Sequence, residues 1–184
     1  MKSLFFTEYL KNIRTVGAIT PSSRYLARKM LDQVDFTRAS LIVEYGPGTG
    51  AFTAEIMKRK HPGTKLLVIE TNPTFYQLLL TEYTGVKNIE IVNASAEIVA
   101  SLLKERRLPA PDYVISGLPF AALPPETSHT ILAETAALLD TNGTFITFQY
   151  TLLKRELFRS HFAAIHIAKE LRNLPPAYVF RCSS

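Results

Sequence analysis

Apolar and polar positions change period repeatedly along this chain, and the changes divide it into elements. Leu41-Ile-Val-Glu-Tyr45 is the kind of β-branched and aliphatic run that a fully buried strand requires, and it breaks into glycines at positions 46, 48 and 50. From Ala51 the period turns helical, with Phe52 and Ile56 on one face and Glu55, Lys58 and Arg59 off it. Lys65–Glu70 predicts a second buried strand, and 88–92 a third, followed by a helix through Leu103. Asp112–Ser116 predicts a fourth, after the loop at Pro109-Ala-Pro111. Pro124 and Pro125 start a helix whose apolar face includes Ile131, Leu132, Ala136 and Leu139. After the turn at Asn142-Gly143, 144–150 alternates as a fifth strand. A short helix through Phe158 follows, and 161–168 with 177–180 read as a closing strand pair around Leu174-Pro-Pro176. Upstream, Ser3 caps a helix to about Ile13, and Thr20 with Pro21 starts another, Ser22 to Leu31.

Strands alternating with helices, then two strands with no helix between them, predict an α/β fold with a mostly parallel sheet and an antiparallel edge strand. No repeat or linker interrupts 1–184, which reads as one domain, with 1–33 an N-terminal helical segment. Phe5, Phe6, Tyr9, Leu10 and Ile13 fall near helical spacing beside lysine and arginine. Such a face suits either a lid over the domain's own core or contact with a membrane interface.

Charge sharpens that choice. The net charge is +5. Residues 1–38 carry seven Lys/Arg against three Asp/Glu, 39–150 eight against eleven, and 151–184 six against two. A basic excess at both ends of an acidic middle favours an anionic partner, either a nucleic acid or an anionic membrane surface. The single cysteine, Cys182, excludes an internal disulfide framework and fits a reducing compartment. No apolar run approaches a membrane span, and Glu8 and Lys11 interrupt any signal-peptide core, so a soluble or peripheral protein is expected.

Candidate chemistry clusters at strand ends. The loop after the first strand reads E-x-G-x-G-x-G, with Glu44 ending the strand and Gly46, Gly48 and Gly50 following. That is not the dinucleotide pattern G-x-G-x-x-G; an acid at the strand end suits a cationic group on the ligand, and the glycines let the backbone approach it. A tight strand–helix turn without a ligand is the alternative. Glu70 lies 20 positions beyond Gly50, close to the spacing at which such acids meet ribose hydroxyls; capping of the next helix at Asn72-Pro73 is its other reading. Ser95 and Ala96 follow the third strand, where Ser95 serves equally as an N-cap. Ser116-Gly-Leu-Pro-Phe120 follows the fourth strand and should border the reaction site. His129 reads as an exposed helix residue, and His161 with His166 lacks the partners of a metal site.

The motif E-x-G-x-G-x-G resembles the first motif of the Rossmann-like methyltransferases, which implies S-adenosylmethionine as cofactor and a seven-stranded class I methyltransferase sheet. Arg14–Ser23, Ser116–Phe120 and Leu171–Tyr178 are similar to segments of the bacterial phospholipid N-methyltransferases, and the resemblance runs over nearly the whole chain. Those enzymes methylate phosphatidylethanolamine toward phosphatidylcholine. The family is itself similar to the rRNA adenine dimethyltransferases, which supply the alternative reading, an adenine N6-methyltransferase with a nucleic-acid partner. Two departures weigh against that alternative. Ser116 stands where those enzymes carry Asn or Asp, with Gly117 inserted, and the chain ends with the sheet rather than an appended helical domain.

The resemblance implies a cofactor site of Glu44, Gly46, Gly48, Gly50, Glu70, Ser95, Ala96 and Ser116. It implies catalytic or orienting roles for Tyr25, Ser116 and Tyr178. Arg14, Arg24, Leu118, Pro119, Phe120 and Tyr150 are the expected substrate contacts, the two arginines gripping a lipid phosphate. No metal is expected. The expected partners are a phospholipid amine and an anionic membrane surface, met by a monomer in the cytoplasm associated peripherally with the inner face of the cell membrane.

Overall fold

A computed structural model describes residues 22–139 and 142–183. The helix anticipated over 3–13, Arg14 and the Thr20-Pro21 cap lie outside the described residues, as does the side chain of Arg24. The elements are α1 (Ser22–Leu31), β1 (Leu41–Tyr45), α2 (Ala51–Arg59), β2 (Lys65–Ile69), α3 (Pro73–Glu82) and β3 (Ile89–Val92). A single 3₁₀ turn (Ala96–Ile98) leads into α4 (Val99–Glu105), then β4 (Tyr113–Ser116), α5 (Pro125–Leu138) and β5 (Thr144–Gln149). The chain closes with α6 (Arg155–Arg159), β6 (Ala164–Glu170) and β7 (Ala177–Ser183). The predicted sixth strand is displaced: 161–163 complete the turn after α6, and the strand runs on to Glu170.

The seven strands form one sheet in the order β3-β2-β1-β4-β5-β7-β6. The first five are parallel where they pair, and the antiparallel part lies at the β5 end. Its antiparallel member is β7, which pairs with β5 on one side and with the outermost strand β6 on the other. This is the class I methyltransferase architecture.

Every residue of β1 is buried, as a central strand covered on both faces demands. Leu41, Val43 and Tyr45 face a core completed by α4, α5 and a group of phenylalanines. Ile42 faces the opposite core with α1 and α2. In the first core Phe120 meets Phe145 and Phe158 edge-on at centroid distances of 6.2 and 5.3 Å. Such contacts add about 0.5–1.5 kcal/mol each beyond their buried area. Cys182 is buried there as a free thiol, pushed up to about 12 by desolvation, and so is not a reactive group.

Register fixes where function can sit. Tyr45 pairs with Ile69 on one side and Ser116 on the other, so β1, β2 and β4 end level. The chain leaves β1 for β2 and later returns to β4 on the other side of β1. That reversal opens a crevice at the carboxyl ends of the strands, and the loops starting at Gly46, Glu70 and Gly117 all issue into it.

Candidate active site

Gly46, Gly48 and Gly50 all take positive φ, 59°, 58° and 85°, a region that side chains with a Cβ avoid. The loop is pinned at both ends: the Gly46 N–H donates to the Ile69 carbonyl at 2.9 Å, and the Gly50 N–H to that of Pro47 at 3.0 Å. Nothing lies within 4 Å of the place a Gly48 side chain would take, so the loop's midpoint faces open space. A Cβ on Gly46 would lie 2.7 Å from the Leu118 side chain, and one on Gly117 would lie 2.6 Å from the Gly46 carbonyl oxygen. The two loops are therefore in backbone contact, and Gly117 is a site residue whose role the sequence did not reveal. Its signal was present as the extra glycine between Ser116 and Leu118.

Glu70 lies beside this loop. Its carboxylate accepts from the Gly48 N–H at 3.1 Å and from the Asn72 N–H at 2.7 Å. Burial raises its pKa, and those backbone donors offset part of the rise. Helix capping falls instead to Asn72, whose side chain accepts from the Thr74 and Phe75 N–H groups. Asn93, not singled out from sequence, donates to the Glu70 carbonyl at 2.7 Å and ties the β3 end to the β2 end. Ser95 does cap: its hydroxyl accepts from the Glu97 N–H and donates to the Glu97 carboxylate, with Ala96 buried behind it.

Glu44 is fully buried beneath the glycine loop, and neither of its oxygens has a hydrogen-bond partner; nor has the buried Thr53 hydroxyl. Desolvation pushes the Glu44 carboxyl up to about 8. Thr53 offsets part of that rise without reaching hydrogen-bond geometry, and the Glu70 charge adds to it. An orphaned buried carboxyl is costly unless a donor or cation completes it. These features fit a cationic ligand with a ribose: an open glycine loop, an acid in reach of its midpoint and an unsatisfied carboxyl below.

The turn after β4 differs from expectation in two places. Ser116 is fully buried, and its hydroxyl accepts from the Leu118 N–H at 3.2 Å, which makes it a brace of its own turn. Phe120, expected at the substrate crevice, belongs to the core: Phe145 and Phe158 offer it a dry aromatic site, so the turn directs it inward. Leu118 and Pro119 stay half-buried at the surface. A further brace comes from Gln149, whose amide donates to the Leu118 carbonyl at 3.1 Å. Its trace in the sequence is a glutamine ending a strand of threonine and apolar residues.

Three tyrosines stand at this edge of the sheet. Tyr150 follows β5, where burial raises its phenol and the Asn173 side chain partly offsets the rise. Tyr178 pairs in register with Gln149 and lies under the Lys169 ammonium at 5.5 Å. Tyr25 is covered by the Arg172 guanidinium at 4.7 Å. Among the described residues no group of three or more potential metal ligands occurs. His129 does meet His161, Nδ1 to Nε2 at 3.1 Å, a contact the sequence did not reveal. A cavity of about 290 Å³ lies at the opposite edge among the strand starts Leu41, Lys65 and Ile89, remote from all these groups.

The ribosomal RNA adenine dimethylase family matches residues 22–132. The chain belongs to this family. It is accordingly a methyltransferase with S-adenosylmethionine as its cofactor, acting on nitrogen. An ornithine lipid N-methyltransferase of Singulisphaera acidiphila is 30% identical over 97% of this chain and 94% of its own. A ribosomal RNA small subunit methyltransferase A of Mycoplasma capricolum is 38% identical over 69 residues, 38% of this chain and 24% of that one. Among solved structures, the N-methyltransferase NodS of Bradyrhizobium japonicum with S-adenosyl-L-homocysteine superposes with a TM-score of 0.71. That likeness covers 89% of this methyltransferase and 88% of NodS at 12% identity, so it speaks to fold alone. No helix among the described residues of this methyltransferase is long and apolar enough to cross a membrane.

Proposed function

We propose that this methyltransferase transfers methyl groups to the amino group of a membrane lipid. Phosphatidylethanolamine and its methylated derivatives are the first candidates, with ornithine lipid as the alternative that the full-length relative brings in. The observation that carries the reading is the turn after β4. An adenine N6 enzyme needs an acceptor there for the target amino group, and here the Ser116 hydroxyl is buried and engaged with Leu118. A lipid headgroup amine needs no such base-reading acceptor. The relative matching both chains almost end to end acts on a lipid, whereas the rRNA relative matches over a third of this chain.

The residues divide the work as follows. Gly46, Gly48 and Gly50 let the backbone close on the cofactor; Glu70 accepts from its ribose hydroxyls, and Glu44 meets its positive charge. Ser95 and Ala96 border the adenine. S-adenosylmethionine supplies a methyl carbon made electrophilic by its sulfonium. A primary ammonium ordinarily titrates near 10, so the lipid amine must lose its proton before it can attack. The half-buried Leu118 and Pro119 exclude water from the amine, and desolvation favours its neutral form. Tyr150, Tyr178 and Tyr25 are the proposed groups for orienting the nitrogen or passing on its proton. Arg24 and Arg14 are the proposed phosphate ligands.

Side-by-side transfer of labelled methyl groups tests this reading. Vesicles of phosphatidylethanolamine or ornithine lipid should take label, and naked or ribosome-assembled rRNA little. Label in rRNA with none in lipid overturns the lipid assignment in favour of adenine methylation.

A further inference from the structure

The loops after β5 and between β6 and β7 invert the usual distribution of polar and apolar side chains. In the second, Glu170 and Asn173 are 4% and 5% exposed, while Leu171 and Leu174 between and beside them are 68% and 79% exposed. The polar groups are held inward by specific bonds. Glu170 takes a bidentate pair of hydrogen bonds from the Arg172 guanidinium at 2.9 Å each, and the Asn173 amide donates to the Pro175 carbonyl at 2.7 Å. In the first loop Leu153 is 86% exposed, on a turn fixed by its own N–H donating to the Thr151 hydroxyl at 2.9 Å. Single exposed leucines are ordinary. Here the three most exposed large apolar side chains among the described residues sit on two internally braced loops.

Their place in the fold gives them a direction. Gln149 at the end of β5 pairs with Tyr178, and Glu170 at the end of β6 pairs with Ala177. Both loops therefore project from the same edge of the sheet as the glycine loop, Glu70 and the Ser116–Pro119 turn. Residues 150–176 carry five Lys/Arg against two Asp/Glu; Lys154 and Arg155 follow Leu153 directly, and Arg159 ends α6. Leucines that protrude from a basic rim are the pattern of an interfacial anchor. The side chains enter the acyl boundary while the cations meet anionic headgroups.

We infer that the loops carrying Leu153, Leu171 and Leu174 form the docking surface by which the crevice edge of the sheet is seated on an anionic lipid bilayer. This rests on the lipid reading of the active site and adds the face that meets the membrane. With the leucines inserted, the strand ends face the headgroups, and the amine reaches the crevice without the lipid leaving the bilayer.

The test uses the full chain with the double variant Leu153→Glu/Leu174→Glu. The milder Leu153→Ser/Leu174→Ser guards against a folding defect, and Leu78→Glu on α3 is an exposed-leucine control away from both loops. Flotation with phosphatidylethanolamine vesicles containing phosphatidylglycerol reads docking. Methyl transfer is measured on those vesicles and on a short-chain phosphatidylethanolamine dispersed as monomers, and calorimetry reads cofactor affinity. The expected result is a vesicle-bound fraction and vesicle activity at least fivefold lower in the glutamate variant, with a smaller loss in the serine variant. Activity on the monomeric lipid, cofactor affinity and Leu78→Glu should stay within twofold of the parent. A glutamate variant that floats like the parent, a parent that floats with no vesicle, or an equal loss in Leu78→Glu overturns the docking surface. Flotation that depends on the leucines while neither lipid form takes label leaves the surface standing and overturns the lipid-methylation reading.

Discussion

A Cβ on Gly117 would lie 2.6 Å from the carbonyl oxygen of Gly46, so the loop after β4 and the loop after β1 are packed backbone against backbone. The proposed cofactor loop and the proposed substrate loop consequently share one wall. Gly117→Ala should force them apart, costing about 1–3 kcal/mol of stability, as overpacking does. A lower melting temperature together with weaker S-adenosylmethionine binding would express that coupling. An unchanged affinity would mean the loops are independent.

Glu70 holds the midpoint of the glycine loop by accepting from the Gly48 N–H. Glu70→Ala should weaken cofactor binding about tenfold or more, since each hydrogen bond to a charged group contributes about 1.5–3 kcal/mol. Glu70→Gln, which keeps one acceptor oxygen, should fall between the two in calorimetry.

Gly48 sits at φ 58° with open space beyond its Cα. Gly48→Val should abolish measurable cofactor binding, because a branched side chain would fill the space the ligand needs. The φ adds roughly 1–2 kcal/mol of strain. Circular dichroism should show a folded protein, and calorimetry no binding heat.

The buried Glu44 carboxyl, pushed up to about 8, gives cofactor binding a pH dependence of known sign. Between about 4.5 and 8 the folded protein without cofactor keeps a proton that the unfolded chain has released, so this group lowers stability as pH rises through that window. A cationic ligand favours the carboxylate, so binding releases the proton and affinity climbs with pH, levelling above about 8. Calorimetry in buffers of different ionisation enthalpy should detect that release in the parent and not in Glu44→Gln. Binding heats independent of buffer would exclude contact between Glu44 and the cofactor's charge.

Gln149 braces the Leu118 carbonyl. Gln149→Leu should raise the KM for the methyl acceptor severalfold and weaken cofactor binding less, because the brace holds the turn after β4 directly and reaches the glycine loop only through Leu118. Equal losses in both would identify a general packing defect.

Much of this fold follows from sequence period alone. The buried run Leu41–Tyr45, the three glycines and the helix after them sit where the pattern placed them, because a central parallel strand has no exposed face to disguise it. Glu70 was legible as a strand-end acid for the same reason. What the sequence left open turns on contacts between residues far apart in the chain. Nothing local distinguishes Phe120, buried against Phe145 and Phe158, from a crevice aromatic. Gly117 needs its missing Cβ only because β1 and β4 are neighbours that end level. The inward turn of Asn173 and outward turn of Leu174 likewise depend on the β6–β7 pairing, which sets the loop between the two strands. Period and turn chemistry determined the elements; pairing and packing decided which of their side chains reach the crevice at the strand ends.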